Sequence, residues 1–239
     1  MSTALVPTMG ALHDGHRALL RAARAENDRV VMSLFVNPTQ FGAGEDFERY
    51  PRDEQRDRRI AGEEGVDEVF APSVERMYPE RFSSRVEVAG VADRYEGAAR
   101  PGHFAAVATV VLKLLNIVRP DRVYFGQKDA QQLAVVRRMV RDLDVRVEVR
   151  AIPTEREADG LALSSRNIYL DAGERGRAAS LHEALIAGDR TLVQGDLEYF
   201  DVVDPETFEP CEPRAGALRI AAARFGSTRL IDNVVLEEP

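Results

Sequence analysis

The chain has 239 residues, 44% hydrophobic and 30% charged, which supplies a large core and excludes a disordered polymer. Lys plus Arg number 32 against 40 Asp plus Glu, a net charge of −8, so there is no overall basic footprint for a nucleic-acid partner and any polyphosphate site has to be local. A single cysteine, Cys211, excludes an internal disulfide framework; it is read as inert and fits a reducing compartment. The N-terminus carries no basic region followed by an apolar one, and the apolar stretch 104–112 stops at Lys113, well short of a membrane span. A soluble, cytoplasmic protein without a membrane partner is expected, with one large domain and a smaller appendage.

The first strand covers residues 4–6 and is ended by Pro7. Residues 17–26 place Leu19, Leu20 and Ala23 on one helical face. Between them, Pro7-Thr8-Met9-Gly10-Ala11-Leu12-His13-Asp14-Gly15-His16 forms a glycine-containing turn that opens onto a helix N-terminus, whose free N–H groups and dipole favour anions. Gly10 and Gly15 permit close backbone approach to a phosphate, and His13 and His16 can donate to its oxygens. A chance surface or core pair is the plainer alternative. Half of a zinc site is another, although His103 and His182 are the only other histidines and no cysteine lies near.

A near-continuous apolar run at 29–36 stops at Asn37-Pro38, the profile of a buried parallel strand. A charged helix at 53–62 leads to a strand at 68–71 and an irregular segment through Pro72 and Pro79. Residues 104–118 place Val107, Val111, Leu114, Leu115 and Val118 on one helical face before Pro120. A strand at 122–125, a helix at 130–143 and a strand at 145–152 follow. This alternation predicts an α/β fold, a Rossmann-like parallel sheet with helices on both faces, over residues 1–154, with ligands at the carboxyl ends of the strands. Residues 155–239 read as a small α+β domain, with a helix at 178–192 and strands at 197–203, 218–223 and 233–236.

Later motifs fall at the same strand ends. Gly126-Gln127-Lys128-Asp129 sets an ammonium and a carboxylate after a strand, where Lys128 can neutralise a phosphate or simply form a solvated ion pair. Ser164-Ser165-Arg166-Asn167 offers two hydroxyls and a guanidinium fork suited to phosphate; a helix cap after the Asp159-Gly160 turn explains it equally. Gln40 and Gln132 can orient hydroxyl and carboxylate groups, though lone glutamines usually lie on surfaces. Arg100 is placed to meet a substrate carboxylate, with His103 capping or packing, and Tyr50 has a weaker individual case. Neither a P-loop nor a Gly-x-Ser-x-Gly elbow occurs, so His and Lys are read as charge stabilisers.

Five segments in this order and spacing, 7–16, 35–41 (Phe-Val-Asn-Pro-Thr-Gln-Phe), 100–104, 125–132 and 156–167, resemble the pantothenate synthetase (pantoate–β-alanine ligase) family, with a weaker likeness at 199–205 and 227–233. The resemblance implies a His-x-Gly-His nucleotidyltransferase that joins pantoate and β-alanine through a pantoyl-adenylate. ATP with Mg²⁺ on its phosphates would be consumed, with no organic prosthetic group and no direct protein ligand to the metal. It further implies a homodimer. His16 would be the proton donor, acting with His13, Lys128 and Arg166. Pro7, Met9, Gly10, His13, Gly15, His16, Gly126, Lys128, Asp129, Glu155, Leu163, Ser164, Ser165 and Arg166 would line the ATP site. Gln40, Gln132, Asn37, Tyr50, Arg100 and His103 would line the substrate site. The chain departs from the family in a missing segment before the first strand, a shortened second domain, Glu155 at a commonly apolar position, Leu163 for Met and Ala106 for Gly. Another His-x-Gly-His nucleotidyltransferase, or a catalytically impaired nucleotide-binding relative, is the alternative reading.

Overall fold

A computed structural model describes residues 1–42 and 44–237, so the last two residues of the 155–239 range lie outside it. Five strands, β1 (Thr3–Thr8), β2 (Arg29–Leu34), β3 (Glu68–Phe70), β4 (Arg122–Gly126) and β5 (Glu148–Ile152), form one sheet in the order β3-β2-β1-β4-β5, with every pairing parallel. Successive side chains on a strand face opposite ways, and here both faces are apolar. Ala4, Val6, Val30, Met32 and Tyr124 pack on one side against α1 (Asp14–Glu26) and α2 (Glu54–Glu63). Leu5, Val31, Val123 and Phe125 pack on the other side, where the core is completed by residues of α5 (His103–Val118) and α6 (Ala130–Asp142). The segment read as irregular contains two single-turn helices, α3 (Val74–Met77) and α4 (Glu96–Ala99).

Pro7 does not end β1. The strand continues through it, with Pro7 opposite Ser33 and Thr8 opposite Leu34, whereas the residues of β1 paired with β4 are Ala4 and Leu5 only. Pro7 therefore sits at a local sheet edge, where its missing N–H breaks no ladder bond on the β4 side.

The C-terminal part differs from the expected single helix. Residues 172–187 form two helices, α7 (Ala172–Ala178) and α8 (Ser180–Ala187), followed by a 3₁₀ turn at Arg190–Leu192. Asp171 and Glu174 form a capping box at the start of α7, and Gly188, at φ +69°, ends α8 in the left-handed conformation. Three strands, β6 (Asp196–Val203), β7 (Leu218–Phe225) and β8 (Thr228–Val235), make an antiparallel sheet in that order. β8 starts five residues earlier than expected because Gly226, at φ +60°, and Ser227 make a two-residue hairpin between Phe225 and Thr228. The two faces of β7 serve two cores: Ala221, Ala223 and Phe225 pack with α7 and α8, while Leu218 and Ile220 join the core beneath the parallel sheet. No helix among the described residues is long and apolar enough to cross a membrane.

Candidate active site

The turn after β1 is built round a carboxylate. Gly10 (φ +83°) and Ala11 (φ +51°) are both left-handed, which directs the N–H groups of Ala11 and Leu12 onto the two oxygens of Asp57, each at 2.9 Å. Asp57 is 1% exposed, and Arg56 beside it donates to the Leu12 carbonyl at 2.8 Å. A Cβ on Gly10 would lie 2.8 Å from Asp57 Oδ2, so glycine is required by contact as well as by φ.

This turn delivers the two histidines. His13 is the N-cap of α1, and its Nδ1 accepts from Gly15 N–H at 3.2 Å; His16 Nδ1 accepts from His13 N–H at 3.3 Å. Both Nδ1 atoms are acceptors, so in the neutral rings the proton sits on Nε2. The rings lie 4.1 Å apart. Desolvation, then the Lys128 charge, pushes His13 down to about 4; desolvation, then His13 and Lys128, pushes His16 down to about 3. At neutral pH the pair is therefore two uncharged N–H donors at a helix N-terminus. Among the described residues no three His, Cys, Asp or Glu are arranged so as to hold a metal ion, so nothing adds a third ligand to the zinc reading.

The depressed values carry a stability consequence. The unfolded chain binds these protons near pH 6.5 and the folded protein only well below it, so their contribution is complete above pH 6.5 and is lost as the pH falls toward 3–4. Between pH 7.5 and 4.5 the parent should lose on the order of 3 kcal/mol more than a His16→Asn variant. Thermal melts at the two pH values measure this, and parallel losses in parent and variant would disprove the buried neutral imidazole.

Opposite the histidines, Lys128 lies in the 3₁₀ turn Gln127–Asp129 after β4. Its side chain is 17% exposed, with Asp129 Oδ1 3.8 Å away. Ser164 caps the 3₁₀ segment Ser165–Tyr169, and Ser165 Oγ donates to the Ala11 carbonyl at 3.4 Å. Arg166 grips Asp46 with two bonds of 3.0 and 2.9 Å. These bonds use Nε–H and one Nη2–H, so the Nη1 side of the guanidinium is left for a ligand phosphate.

Gln40 and Gln132 face the same cavity from two sides. Gln40 Oε1 accepts from Asn37 Nδ2 at 3.0 Å, which directs its amide N–H₂ away from Asn37. Gln131, next to Gln132, is committed elsewhere: it donates to the carbonyls of Val91 and Arg94 and accepts from Glu96 N–H. Arg100 is engaged by Glu45 at 2.8 and 2.6 Å. It also donates to the Gln40 carbonyl and to His103 Nε2, while His103 Nδ1 donates to that same carbonyl at 2.9 Å. Burial, then Arg100, pushes His103 down to about 4.

A cavity of about 250 Å³ unites these groups and opens beside a cleft of about 1280 Å³ that shares Gln40, Lys128 and Arg166 with it. Every candidate site residue lines the cavity except Gly10, whose backbone lies behind it on Asp57, and Asn37. Asn37 is fully buried and supports the cavity wall by holding Gln40, Thr39 and the Tyr78 hydroxyl. Glu155 is exposed at the rim, with its carbonyl taken by Leu163 N–H at 2.9 Å. Phe35, Phe41, Val107, Val111 and Leu114 add an apolar wall, of which periodicity places Val107, Val111 and Leu114 on one helical face.

Sequence reasoning missed Asp57, Asp46 and Glu45. Asp57 had one usable signal: it stands three and four residues before Ile60 and Ala61, on the buried stripe of a helix that is otherwise charged. Asp46 and Glu45 had none, because their partners Arg166 and Arg100 are distant in sequence.

The fold and the cavity together define a class: doubly wound parallel α/β proteins whose cavity lies at the carboxyl ends of their strands, over a helix N-terminus. Residues 1–235 match the Pantoate-beta-alanine ligase family, and the chain belongs to it. It is 53% identical to the pantothenate synthetase of Moorella thermoacetica, over 99% of this chain and 92% of that one. That alignment runs over 259 positions although the chain has 239 residues, so the relative is longer within the matched stretch. The crystal structure of pantothenate synthetase from Thermus thermophilus superposes with a TM-score of 0.95 at 50% identity, covering 99% of this chain and 94% of that one. A pantoate-beta-alanine ligase from Francisella tularensis, complexed with beta-gamma ATP and beta-alanine, superposes at 0.86 with 35% identity, covering 98% and 89%.

Proposed function

We propose that the protein condenses (R)-pantoate with β-alanine using ATP, through pantoyl-adenylate, releasing AMP and pyrophosphate. One observation carries this beyond family membership: a single cavity combines neutral His donors, Lys128 and the Ser164–Arg166 cluster with two glutamines and an apolar wall. That is a phosphate end and an acid-binding end within reach of each other.

In the first step an oxygen of the pantoate carboxylate bonds to the α-phosphorus and the bond to pyrophosphate breaks. The carboxylate is already ionised, so no general base is needed. His13 and His16 each present Nε2–H to phosphate oxygens; His16 thus acts as a neutral hydrogen-bond donor, refining the proton-donor role implied by resemblance. Lys128, Ser164, Ser165 and Arg166 neutralise and align the chain of phosphates, with Asp46 orienting the Arg166 guanidinium. Gln40 and Gln132 hold the pantoate hydroxyl and carboxylate groups, and the apolar wall takes its two methyl groups. Arg100 and His103, both bonded to the Gln40 carbonyl, shape that end while Glu45 occupies the guanidinium. In the second step the β-alanine nitrogen bonds to the acyl carbon, the bond to AMP breaks and the amine gives up a proton. The cavity's donors are N–H and O–H groups, so Mg²⁺ fits as the companion of the triphosphate, where it would supply charge neutralisation.

Residues 1–154 bind nucleotide and pantoate in this reading, and residues 155–239 cover the phosphates as a lid through Ser164–Arg166. A cytoplasmic homodimer is part of the same reading, by family resemblance. Purified protein should exchange labelled pyrophosphate into ATP only when pantoate is present and form pantothenate when β-alanine is added. The same preparation should have a solution mass twice 26.5 kDa. Exchange that ignores pantoate would refute the ligase assignment, and a monomer mass would remove the dimer.

A further inference from the structure

The strand β8, from the other sheet, reaches the phosphate end through one side chain. Asn233 is 5% exposed, and its Nδ2 donates to two successive backbone carbonyls, Gln127 at 3.0 Å and Lys128 at 2.9 Å. Both neighbours are carbonyl oxygens, so only the N–H₂ side of the amide can serve them, which fixes its orientation. These carbonyls belong to the short 3₁₀ turn between β4 and α6, whose N-terminal residue has no side-chain cap. Asn233 is thus the group that pins the backbone from which the Lys128 side chain projects.

The adjacent residue pins the other phosphate loop. Asp232 is 5% exposed and holds Arg156 through two bonds of 2.7 and 2.9 Å, and it also accepts from Asn233 N–H at 2.7 Å. Arg156 donates in turn to the carbonyls of Gly160 and Asn233, closing the hairpin that leads into Ser164–Arg166. Two consecutive residues of β8 therefore tie together the Lys128 turn and the loop carrying Ser164, Ser165 and Arg166. Along the chain these two segments are separated by α6, β5 and the hairpin, so their register depends on a third element that touches both.

We infer that Asn233 is a positioning residue for adenylate formation, acting through Lys128: by holding the carbonyls of residues 127 and 128 it sets where the ammonium meets the triphosphate. This rests on the reading that Lys128 acts on the phosphates. An aspartate at 233 keeps the shape but turns both donors into acceptors facing two carbonyls. A serine removes the reach without adding charge.

A double-mutant cycle of Asn233→Asp and Asn233→Ser with Lys128→Ala tests this, scored by pantoate-dependent pyrophosphate exchange and by melting temperature. In the parent background each substitution should lower the exchange rate on the order of 10²-fold, as a displaced group does, with the KM for β-alanine in the full reaction unchanged. In the Lys128→Ala background the same substitutions should change the rate less than about twofold, because the group they displace is already absent. Equal losses in both backgrounds, or no loss in the parent background, would overturn the inference. So would failure of both variants to fold, which would make Asn233 a residue of the fold as a whole. If Lys128→Ala alone leaves exchange intact, it is the phosphate role of Lys128 that falls, a result distinct from additivity.

Discussion

Lys128→Ala should slow pantoate-dependent pyrophosphate exchange on the order of 10²–10³-fold and leave the melting temperature nearly unchanged. The rate effect is large because the ammonium is mostly buried and its nearest carboxylate, Asp129, is 3.8 Å away, too far for a tight hydrogen-bonded pair. A bound triphosphate is then its strongest partner, and that attraction grows as charge builds on the leaving pyrophosphate. Stability is spared for the same reason: truncation strands no carboxylate that was fully paired. Lys128→Arg should recover little, since a planar fork cannot occupy the place of a compact ammonium. The exchange assay and a thermal melt decide the matter together; a normal exchange rate would remove Lys128 from the chemistry.

Asp57→Asn should be the most damaging substitution outside the cavity. The carboxylate is 1% exposed and receives the N–H groups of Ala11 and Leu12 at 2.9 Å on separate oxygens. An amide has one acceptor oxygen. Its N–H₂ would face the second N–H, leaving a buried donor unpaired at a cost of about 2–4 kcal/mol. For a chain of this size that corresponds to a melting temperature lower by about 5–15 °C. Activity should fall further than stability, on the order of 10²-fold in exchange rate, because residues 10–12 aim the N-cap His13 and through it His16. Rates are read below the melting transition, with folded fraction checked by circular dichroism. A lower melting temperature with full exchange activity would show that the histidine turn keeps its shape without Asp57.

Asp46 gives the site a second kind of dependence on distant sequence. It is bonded to Arg166 across 120 residues of chain, and Glu45 is bonded to Arg100 across 55. Such pairs leave no periodic trace. The sequence motifs containing Arg100 and Arg166 were legible as cationic, whereas the carboxylates that neutralise them looked like ordinary acidic residues in a loop.

Much of the architecture was determined by local chemistry and could be read directly. Strands with apolar residues at both parities, such as Val30-Val31-Met32, can only be buried on both faces, which with intervening helices forces a parallel two-sided sheet. Glycines and paired imidazoles at a helix N-terminus favour an anion, so His13, Gly15 and His16 stood out as a candidate in the amino-acid sequence itself, beside the chance-pair and zinc readings. Boundaries were less so: the early starts of α7 and of β8 depended on a capping box and a Gly-Ser hairpin within otherwise ambiguous stretches. Only the tertiary structure decided that Asp57 shapes the histidine turn, that Asp46 holds Arg166, and that Asn233 grips the Lys128 turn. Each of these is a contact between groups that are far apart along the chain. Periodicity and propensity report on neighbours within a turn or a strand, while such contacts depend on how whole elements come to lie against one another.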